Sequence, residues 1–222
     1  NSKRKICTSC QSETRVDIDT TRIIINIGRK KGFSKIIVGE DLHRYTCGTN
    51  HYIEKAVQGI NYKADSLYSS PKLLVRKTGL GIYAAIDYSH EKTIQTVYIL
   101  KYKKDNSVPL EYYLALLNSR VVYYYYLKTY GENEWKSHPY ITKNILFSLP
   151  IKKYENSALD LKIIQLATQI SHKYDYSTDL QLERLIMQKY NLDDEDINII
   201  RNEMNNLPNL SSVNSMKMED YV

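Results

Sequence analysis

Short stretches rich in β-branched and aromatic residues alternate with turn residues over the first hundred positions of the chain. Four of the five stretches end in or follow Gly, Asp or Pro. The stretches lie at 22–28, 35–39, 72–79, 82–87 and 96–102. Runs of this length and composition predict the strands of a twisted sheet. Gly79 and Gly81 fall between two of these runs and predict the connection of a β-hairpin.

The spacing of apolar residues changes after Pro109 to one of three or four residues. The positions that set this period are Leu110, Leu114, Leu117 and Val121. They predict an amphipathic helix over about 110–128. The chain holds 21 Tyr and only 2 Phe, so the four tyrosines at 123–126 are interpreted as core aromatic residues rather than as a surface for base stacking.

The remainder of the chain is predicted to be largely helical. A polar connector at 131–138 leads to a strand or extended edge at 144–151. Apolar residues at helical spacing then predict two helices between 159 and 190, with a break near Tyr176. Acidic residues at 193–196 mark the start of a last helix, where negative charge complements the helix dipole.

Together these elements predict an α+β protein with a twisted, mostly antiparallel sheet, an embedded helix and a helical C-terminal part. The first domain is expected over 1–151 and the helical part over 152–207. A tail over 208–222, rich in Ser, Asn and Met, is expected to be disordered. Hydrophobic residues make up 42% of the chain and only 8 Gly and 5 Pro occur, which excludes a disordered or collagen-like protein.

The charge of the chain is unevenly distributed. The 31 basic and 25 acidic residues give a net charge of +6. Nine acids and four bases lie between Asp179 and Val222, which leaves 27 bases and 16 acids, net +11, in residues 1–178. Concentrated positive charge attracts polyanions, so nucleic acid is the first partner to consider and an anionic membrane surface the second. A lysine-rich solvated surface is the alternative.

The sequence contains neither a stretch typical of a membrane-spanning helix nor one typical of a signal peptide. No apolar run reaches the roughly 18 residues of a membrane helix, and the start of the chain has no apolar signal core. We therefore expect a cytoplasmic protein without a membrane partner. The chain begins with Asn1 rather than Met, which suggests a fragment of a longer polypeptide.

Few residues form a recognisable catalytic or metal-binding motif. Cys7 and Cys10 form a CxxC pair, which is half of a zinc knuckle. Cys47 alone cannot complete the site, so a pair of surface thiols is favoured over a metal site. Walker A, GxSxG, HExxH and GxGxxG motifs are absent. Glu134 and Lys136 match part of a nuclease signature, but no Pro-Asp precedes them, so a stand-alone nuclease is disfavoured.

Seven phrases occur in a fixed order along the chain. They are GEDLHRY at 39–45, SPKLLVRK at 70–77, IYAAID at 82–87, VYILK at 97–101, LALLNSR at 114–120, LPI at 149–151 and LIMQKYNLDDEDI at 185–197. This order resembles the TaqI-like C-terminal specificity domain, the target recognition domain of type IIG restriction-modification enzymes and of related adenine-specific DNA methyltransferases. The resemblance covers nearly all of residues 36–200.

The resemblance implies a module over 1–151 that reads a short duplex DNA sequence for adenine-N6 methylation. A methyltransferase domain earlier in the same polypeptide would be its partner. The family's Asn-Pro-Pro-Tyr motif and its glycine motif for S-adenosylmethionine are both absent here, so the chain is expected to be non-catalytic and to hold no cofactor. S-adenosylmethionine, and a divalent metal ion where the parent enzyme cleaves DNA, would bind to the upstream domains.

Two alternatives to this function stay open. One is the specificity domain of a phage-defence methyltransferase that has no nuclease. The other is a protein-interaction domain in which the acidic C-terminal helices bind a partner and the basic face is incidental. Only the first of the two would bind DNA.

Three basic residues near the ends of predicted sheet elements are the first candidates for DNA contacts: Arg44, Arg76 and Lys77. The planar guanidinium group of arginine can donate two hydrogen bonds to guanine O6 and N7. The alternative for Arg76 is an ion pair within the sheet, for instance with Asp87.

Two further groups complete the candidate DNA-binding residues. The loop formed by Arg29, Lys30 and Lys31 is flanked by glycines and suits phosphate binding through its charge and its backbone amides; the alternative is a solvated hairpin. A secondary surface in the polar connector consists of Trp135, Lys136 and His138.

Overall fold

The structure of the protein is a computed structural model. The described residues are 4–6, 13–15, 24–25, 31–55, 57, 62–102, 108–131 and 140–219. Within these ranges, none of the helices has the length and apolar character that crossing a membrane requires.

Two small sheets occupy the first part of the chain. In one, β1 (Arg4–Ile6) pairs antiparallel with β2 (Glu13–Arg15). The other consists, in spatial order, of β3 (Ile24–Ile25), β5 (Tyr52–Glu54), β4 (Phe33–Ile37) and β8 (Lys92–Thr93). Its pairs are antiparallel except for β4 with β8, which run parallel.

A third sheet lies against the main hydrophobic core. Its central strand, β6 (Lys72–Arg76), pairs antiparallel with β7 (Ala84–Asp87) and with β9 (Val97–Leu100). Leu74 points away from the main core and packs with Ile37 of β4, whereas its two neighbours in β6 face the main core. The strand is therefore covered on both faces, and the predicted α+β class is confirmed.

The loop between β6 and β7 is the predicted hairpin connection. The backbone N–H of Arg76 donates to Tyr83 O at 2.9 Å. Gly79 and Gly81 adopt φ angles of +103° and +96°, a region that residues with a Cβ atom rarely enter. The turn thus depends on glycine at these two positions.

Helices dominate the second half of the described chain. They are α1 (Leu110–Asn118), α2 (Arg120–Tyr126), α3 (Lys143–Ser148), α4 (Ala158–His172), α5 (Tyr176–Tyr190), α6 (Asp194–Asn205) and α7 (Ser211–Asn214), with a π-helical turn at Leu127–Gly131. Tyr123 and Tyr126 of α2 are buried, so the tyrosine run contributes to the core as interpreted from composition.

The single helix predicted over 110–128 is wrong in one respect, because it is interrupted at Ser119. This residue has extended backbone angles, φ −70° and ψ 150°. Its hydroxyl donates to Leu116 O at 2.8 Å and accepts from the Val122 N–H at 3.1 Å. Serine favours such helix caps because its side chain replaces a missing backbone partner.

The strand or extended edge predicted over 144–151 is also wrong, because most of this segment forms α3. The hydroxyl of Thr142 accepts from the Ile145 N–H at 3.2 Å and caps the helix. Leu146 is buried in the main core. Periodicity does not distinguish a strand from a helix in so short an apolar run.

The later helices begin where their capping residues predict. Asp175 accepts from the Thr178 N–H at 2.7 Å, and α5 begins at the next residue, Tyr176. Asp193 and Asp196 form a reciprocal capping box at the start of α6. The break near Tyr176 and a helix starting at the acidic run are both confirmed, but this helix is not the last one, because α7 follows it.

One hydrophobic core extends from Tyr45 to Met218. Helix α1 packs against β7 on one side and against α4 on another, so the core crosses the predicted boundary after residue 151. The prediction of a disordered tail is wrong for 208–219, because Val213, Met216 and Met218 are fully buried. Residues 220–222 lie outside the described residues.

A group of buried charges joins the strands to the C-terminal helices. Arg44 forms a bidentate pair with Asp179, with Nη1–Oδ2 and Nη2–Oδ1 distances of 2.6 and 2.9 Å. The same guanidinium group donates to Asn118 O and to Ser215 O. Burial alone would raise the pKa of Asp179, but Arg44 and then Arg120 outweigh it and lower the pKa to about 2.

Arg120 extends this group of charges toward the end of the chain. Its Nη2 donates to Asp179 Oδ2 at 3.1 Å, and its Nη1 lies 3.4 Å from Glu183 Oε2. Its Nε donates to Met216 O at 2.8 Å, and its Nη2 to Lys217 O at 3.0 Å. Burial raises the pKa of Glu183, an effect that Arg120 offsets only in part. We call Arg44, Arg120, Asp179 and Glu183 the arginine hub.

The variant Asp179→Asn is expected to destabilise the protein by roughly 3–5 kcal/mol, because it leaves two buried guanidinium groups without their shared carboxylate. Urea denaturation measures the free energy of unfolding. Glu195→Gln on the exposed surface of α6 is the matched control, with an expected effect within about 0.5 kcal/mol. Equal stability of the two variants would contradict the role assigned to the arginine hub.

The stabilisation from Asp179 is expected to depend on pH. Its pKa is lowered from 3.8 to about 2 in the folded protein. Its contribution is therefore complete above about pH 4 and is lost as the pH falls toward 2, and its size is about 2 kcal/mol. In urea titrations over this range, the stability difference between the wild type and Asp179→Asn should narrow by that amount. A constant difference would argue against the low pKa.

Candidate nucleic-acid interface

Arg44 is not available to an external ligand. Its side chain is only 2% exposed, and its guanidinium nitrogens donate to Asp179, Asn118 and Ser215. The prediction that it contacts a base is therefore wrong. Its acceptors lie 74 to 171 positions further along the chain, so no local pattern of residues indicated them.

Arg76 occupies the end of β6 and faces a cleft of about 500 Å³. The cleft lies between the segment from Leu42 to Thr46 and the C-terminal residues Tyr174 and Ser215. We call it the arginine cleft. Among the described residues, Arg76 has no carboxylate within ion-pair distance, and its buried Nε has no hydrogen-bond partner.

The alternative pairing of Arg76 with Asp87 is wrong. Asp87 instead accepts from Nζ of Lys72 at the other end of β6. The Lys72 ammonium group also donates to Tyr68 O and Ser89 O, both at 3.0 Å. Asp87 is therefore paired with Lys72 inside the protein. Among the described residues, the positive charge of Arg76 is not balanced by an ion pair.

The guanidinium group of Arg76 is held by an aromatic ring and two close backbone turns. Its Cζ lies 5.6 Å from the centre of the Tyr83 ring, within the range of a cation–π interaction. A Cβ atom at Gly79 would lie 3.1 Å from Arg76 Nη2, and one at Gly39 would lie 3.7 Å from Nε. The absence of side chains at both glycines gives the guanidinium group its space.

Lys77 follows Arg76 and lies on a second aromatic ring. Its Nζ is 4.3 Å from the centre of the Tyr98 ring and also donates to Gln95 O. Burial and contact with Tyr140 raise the pKa of Tyr98. Tyr140 is 45% exposed, and its backbone forms an isolated β-bridge with Thr78, the residue after Lys77. Positive charge and aromatic surface therefore meet beside the hairpin, as in many nucleic-acid interfaces.

The structure leaves most of the remaining candidates untested. Lys31 is exposed in the turn before β4. The candidates outside the described residues are Arg29, Lys30, Trp135, Lys136, His138, Cys7 and Cys10. They stay predictions.

A second, lysine-rich cleft of about 800 Å³ was not predicted from the sequence. Its four lysines come from separate segments of the chain: Lys35, Lys55, Lys63 and Lys92. We call it the lysine cleft. No single charge run marked these residues, because the pairing of β4 with β5 and β8 is what brings them together.

Metal ligands do not gather in the described part of the chain. No group of three or more His, Cys, Asp or Glu residues there could hold a metal ion. His51 instead lies 3.1 Å from Asp41, whose carboxylate also accepts from the Val38 N–H at 2.9 Å. The Asp41 carboxylate thus caps the short helical turn Gly39–Asp41.

Part of the chain matches the model of a known protein family. The model of the TaqI-like C-terminal specificity domain matches residues 34–151, which is more than half of the 222 residues. The matched range runs from β4 to the end of α3 and includes Arg76, Lys77 and the lysine cleft. A search of the curated proteins finds no match to the chain.

The variant Gly79→Ala is expected to destabilise the hairpin and to displace Arg76. A backbone φ of +103° would cost an alanine roughly 1–3 kcal/mol, and its methyl group would meet the guanidinium group. Gly32→Ala is the matched control, because Gly32 has a φ of +87° but a Cβ atom placed there would have no neighbouring atom within 4 Å.

Urea denaturation should show a loss of stability in both glycine variants. Only Gly79→Ala should shift the Arg76 Nε–H resonance in ¹⁵N NMR spectra. An unshifted resonance would mean that the turn does not position the guanidinium group.

Proposed function

Because the chain belongs to the family of TaqI-like C-terminal specificity domains, which recognise DNA sequence in restriction-modification systems, we propose that Arg76 reads a guanine base. This proposal rests on the surroundings of the Arg76 guanidinium group. Arg76 lines an open cleft, has no carboxylate partner among the described residues and has a buried Nε without an acceptor.

The chemistry of the side chain favours guanine over the other bases. Arginine presents two parallel N–H donors that match the O6 and N7 acceptors in the major groove. The Tyr83 ring beneath Cζ limits the positions of these donors before DNA binds. A preorganised donor loses less conformational entropy on binding.

Lys77 is proposed to bind a phosphate near this base contact, and the loop at 29–31 is proposed as a further phosphate-binding segment. An ammonium group is a point charge that suits phosphate oxygens but carries little sequence information. Lys77 lies directly beside Arg76 in the chain, so a phosphate bound there would fix the register of the duplex relative to Arg76.

We further propose that the domain serves a type IIG restriction-modification enzyme or a related adenine-N6 methyltransferase. The order of the seven phrases supports this reading. A methyltransferase domain of the same polypeptide would bind S-adenosylmethionine and would methylate the adenine. Where the parent enzyme also cleaves DNA, a nuclease domain would hold the divalent metal ion.

Selection from a pool of randomised duplex DNA tests the proposed function. The 222-residue chain is expected to enrich one short motif that contains guanine, with affinity that falls as salt rises. Salt-sensitive binding without enrichment would contradict base reading by this chain. Absence of binding at low salt would instead favour the protein-interaction domain.

Arg76→Ala is expected to weaken binding to the selected motif by about 1–3 kcal/mol and to relax the preference at one guanine position. Arg201→Ala on α6 is the matched control and should keep both affinity and preference. Titration of each variant with the selected duplex and with single-base substitutions measures the effect. An unchanged preference in Arg76→Ala would refute its assignment as a base reader.

A further inference from the structure

The lysine cleft is a second concave surface. It is formed by the sheet that contains β4, β5 and β8, whereas Arg76 ends β6 in another sheet. Its wall includes β4, β5, the segment 62–68 and β8. It shares no lining residue with the arginine cleft. A ligand in the lysine cleft would therefore contact a different part of the protein surface.

Hydrogen bonds anchor the backbone of the two segments that carry Lys55 and Lys63. The Lys55 N–H donates to Gly32 O at 2.9 Å, which ties the end of β5 to the turn before β4. Tyr62 precedes Lys63, and its hydroxyl donates to Glu54 O at 2.7 Å and accepts from the Val57 N–H at 3.3 Å. Lys55 and Lys63 thus project from anchored backbone.

The charges of the cleft are only partly balanced. Lys35 lies 3.5 Å from Glu91, and Lys92 lies 2.6 Å from Asp65. Hydrogen bonding to Lys92 lowers the pKa of Asp65. Within the described residues, Lys55 and Lys63 have no carboxylate in ion-pair range, and both are exposed. Four lysines against two acids leave the cleft with a charge of +2.

The donors of the cleft suit phosphate better than base edges. Its described lining contains lysine, histidine, serine and tyrosine but no arginine, asparagine or glutamine. The planar guanidinium fork that matches guanine, and the side-chain amide that pairs with adenine, are therefore missing from it. Lysine ammonium groups bind phosphate oxygens as point charges, without regard to sequence.

We propose that the lysine cleft binds the phosphate backbone of the duplex at a site separate from base reading, with Lys55 and Lys63 as its principal contacts. This inference rests on the proposed function, since duplex DNA is taken as the ligand. Lys35 and Lys92 line the same cleft while their carboxylate partners hold them in place. The cleft thus contributes affinity, and the arginine cleft contributes sequence preference.

The double variant Lys55→Gln/Lys63→Gln tests the proposal, with Lys162→Gln/Lys173→Gln as the matched control. The control removes the same charge from exposed positions on and just after α4. Fluorescence anisotropy measures the affinity of each protein for the selected duplex and for a scrambled duplex between roughly 50 and 200 mM salt.

The cleft variant should bind both duplexes more weakly by the same factor, roughly tenfold or more at low salt. Its slope of log affinity against log salt should fall by about 1.8, which corresponds to two phosphate contacts. The ratio of affinities for the two duplexes should stay at the wild-type value. Thermal denaturation should show equal stability, because all four substituted lysines are exposed.

Two results would overturn the proposal. One is wild-type affinity in the cleft variant, and the other is an equal loss in the control, which would indicate diffuse attraction by net charge. If the wild type binds both duplexes equally while the cleft variant alone is weaker, the phosphate site stands and base reading by this chain fails. If the wild type binds neither duplex, both proposals fail.

Discussion

The carboxylate of Asp179 lies between the buried guanidinium groups of Arg44 and Arg120. The packing of the strands against the C-terminal helices depends on this contact. Removing a charged group from water costs several kcal/mol. Burial of each charged side chain of the arginine hub is therefore favourable only while its partners are present. Arg44 comes from the loop after β4, Arg120 opens α2, and both acids lie on α5. The hub therefore fixes the helices relative to the strands.

The arginine hub also limits where the half-buried Arg76 can lie. One end of β6 is anchored by the buried pair of Lys72 with Asp87, and the other end presents Arg76 to the arginine cleft. Both faces of the strand are covered by hydrophobic residues. A side chain at the end of a buried strand moves less than one on a free loop, and precise donor positions are what base recognition needs.

Local signals in the sequence predicted β3, β4, β6, β7 and β9, the glycine hairpin and most helices, but they missed the short strands β1, β2, β5 and β8. They failed at α3, whose short apolar run also fits a strand, and at the tail, whose methionines pack in the core. The burial of Arg44 could not be predicted, because Asp179 lies 135 positions away. The lysine cleft was missed for the same reason, since separate strands bring its residues together. Long-range pairing, rather than composition, decides these features.

The carbonyl groups of the tail also define the smallest piece of the chain that can be transplanted. Ser215, Met216 and Lys217 accept from the buried arginines through the main chain, so their contribution depends on the path of the backbone more than on side-chain identity. A chimera that exchanged only the family-matched residues 34–151 would carry Arg44 and Arg120 into a foreign scaffold without these acceptors. A chimera that keeps these buried arginines paired therefore has to include the chain through Lys217.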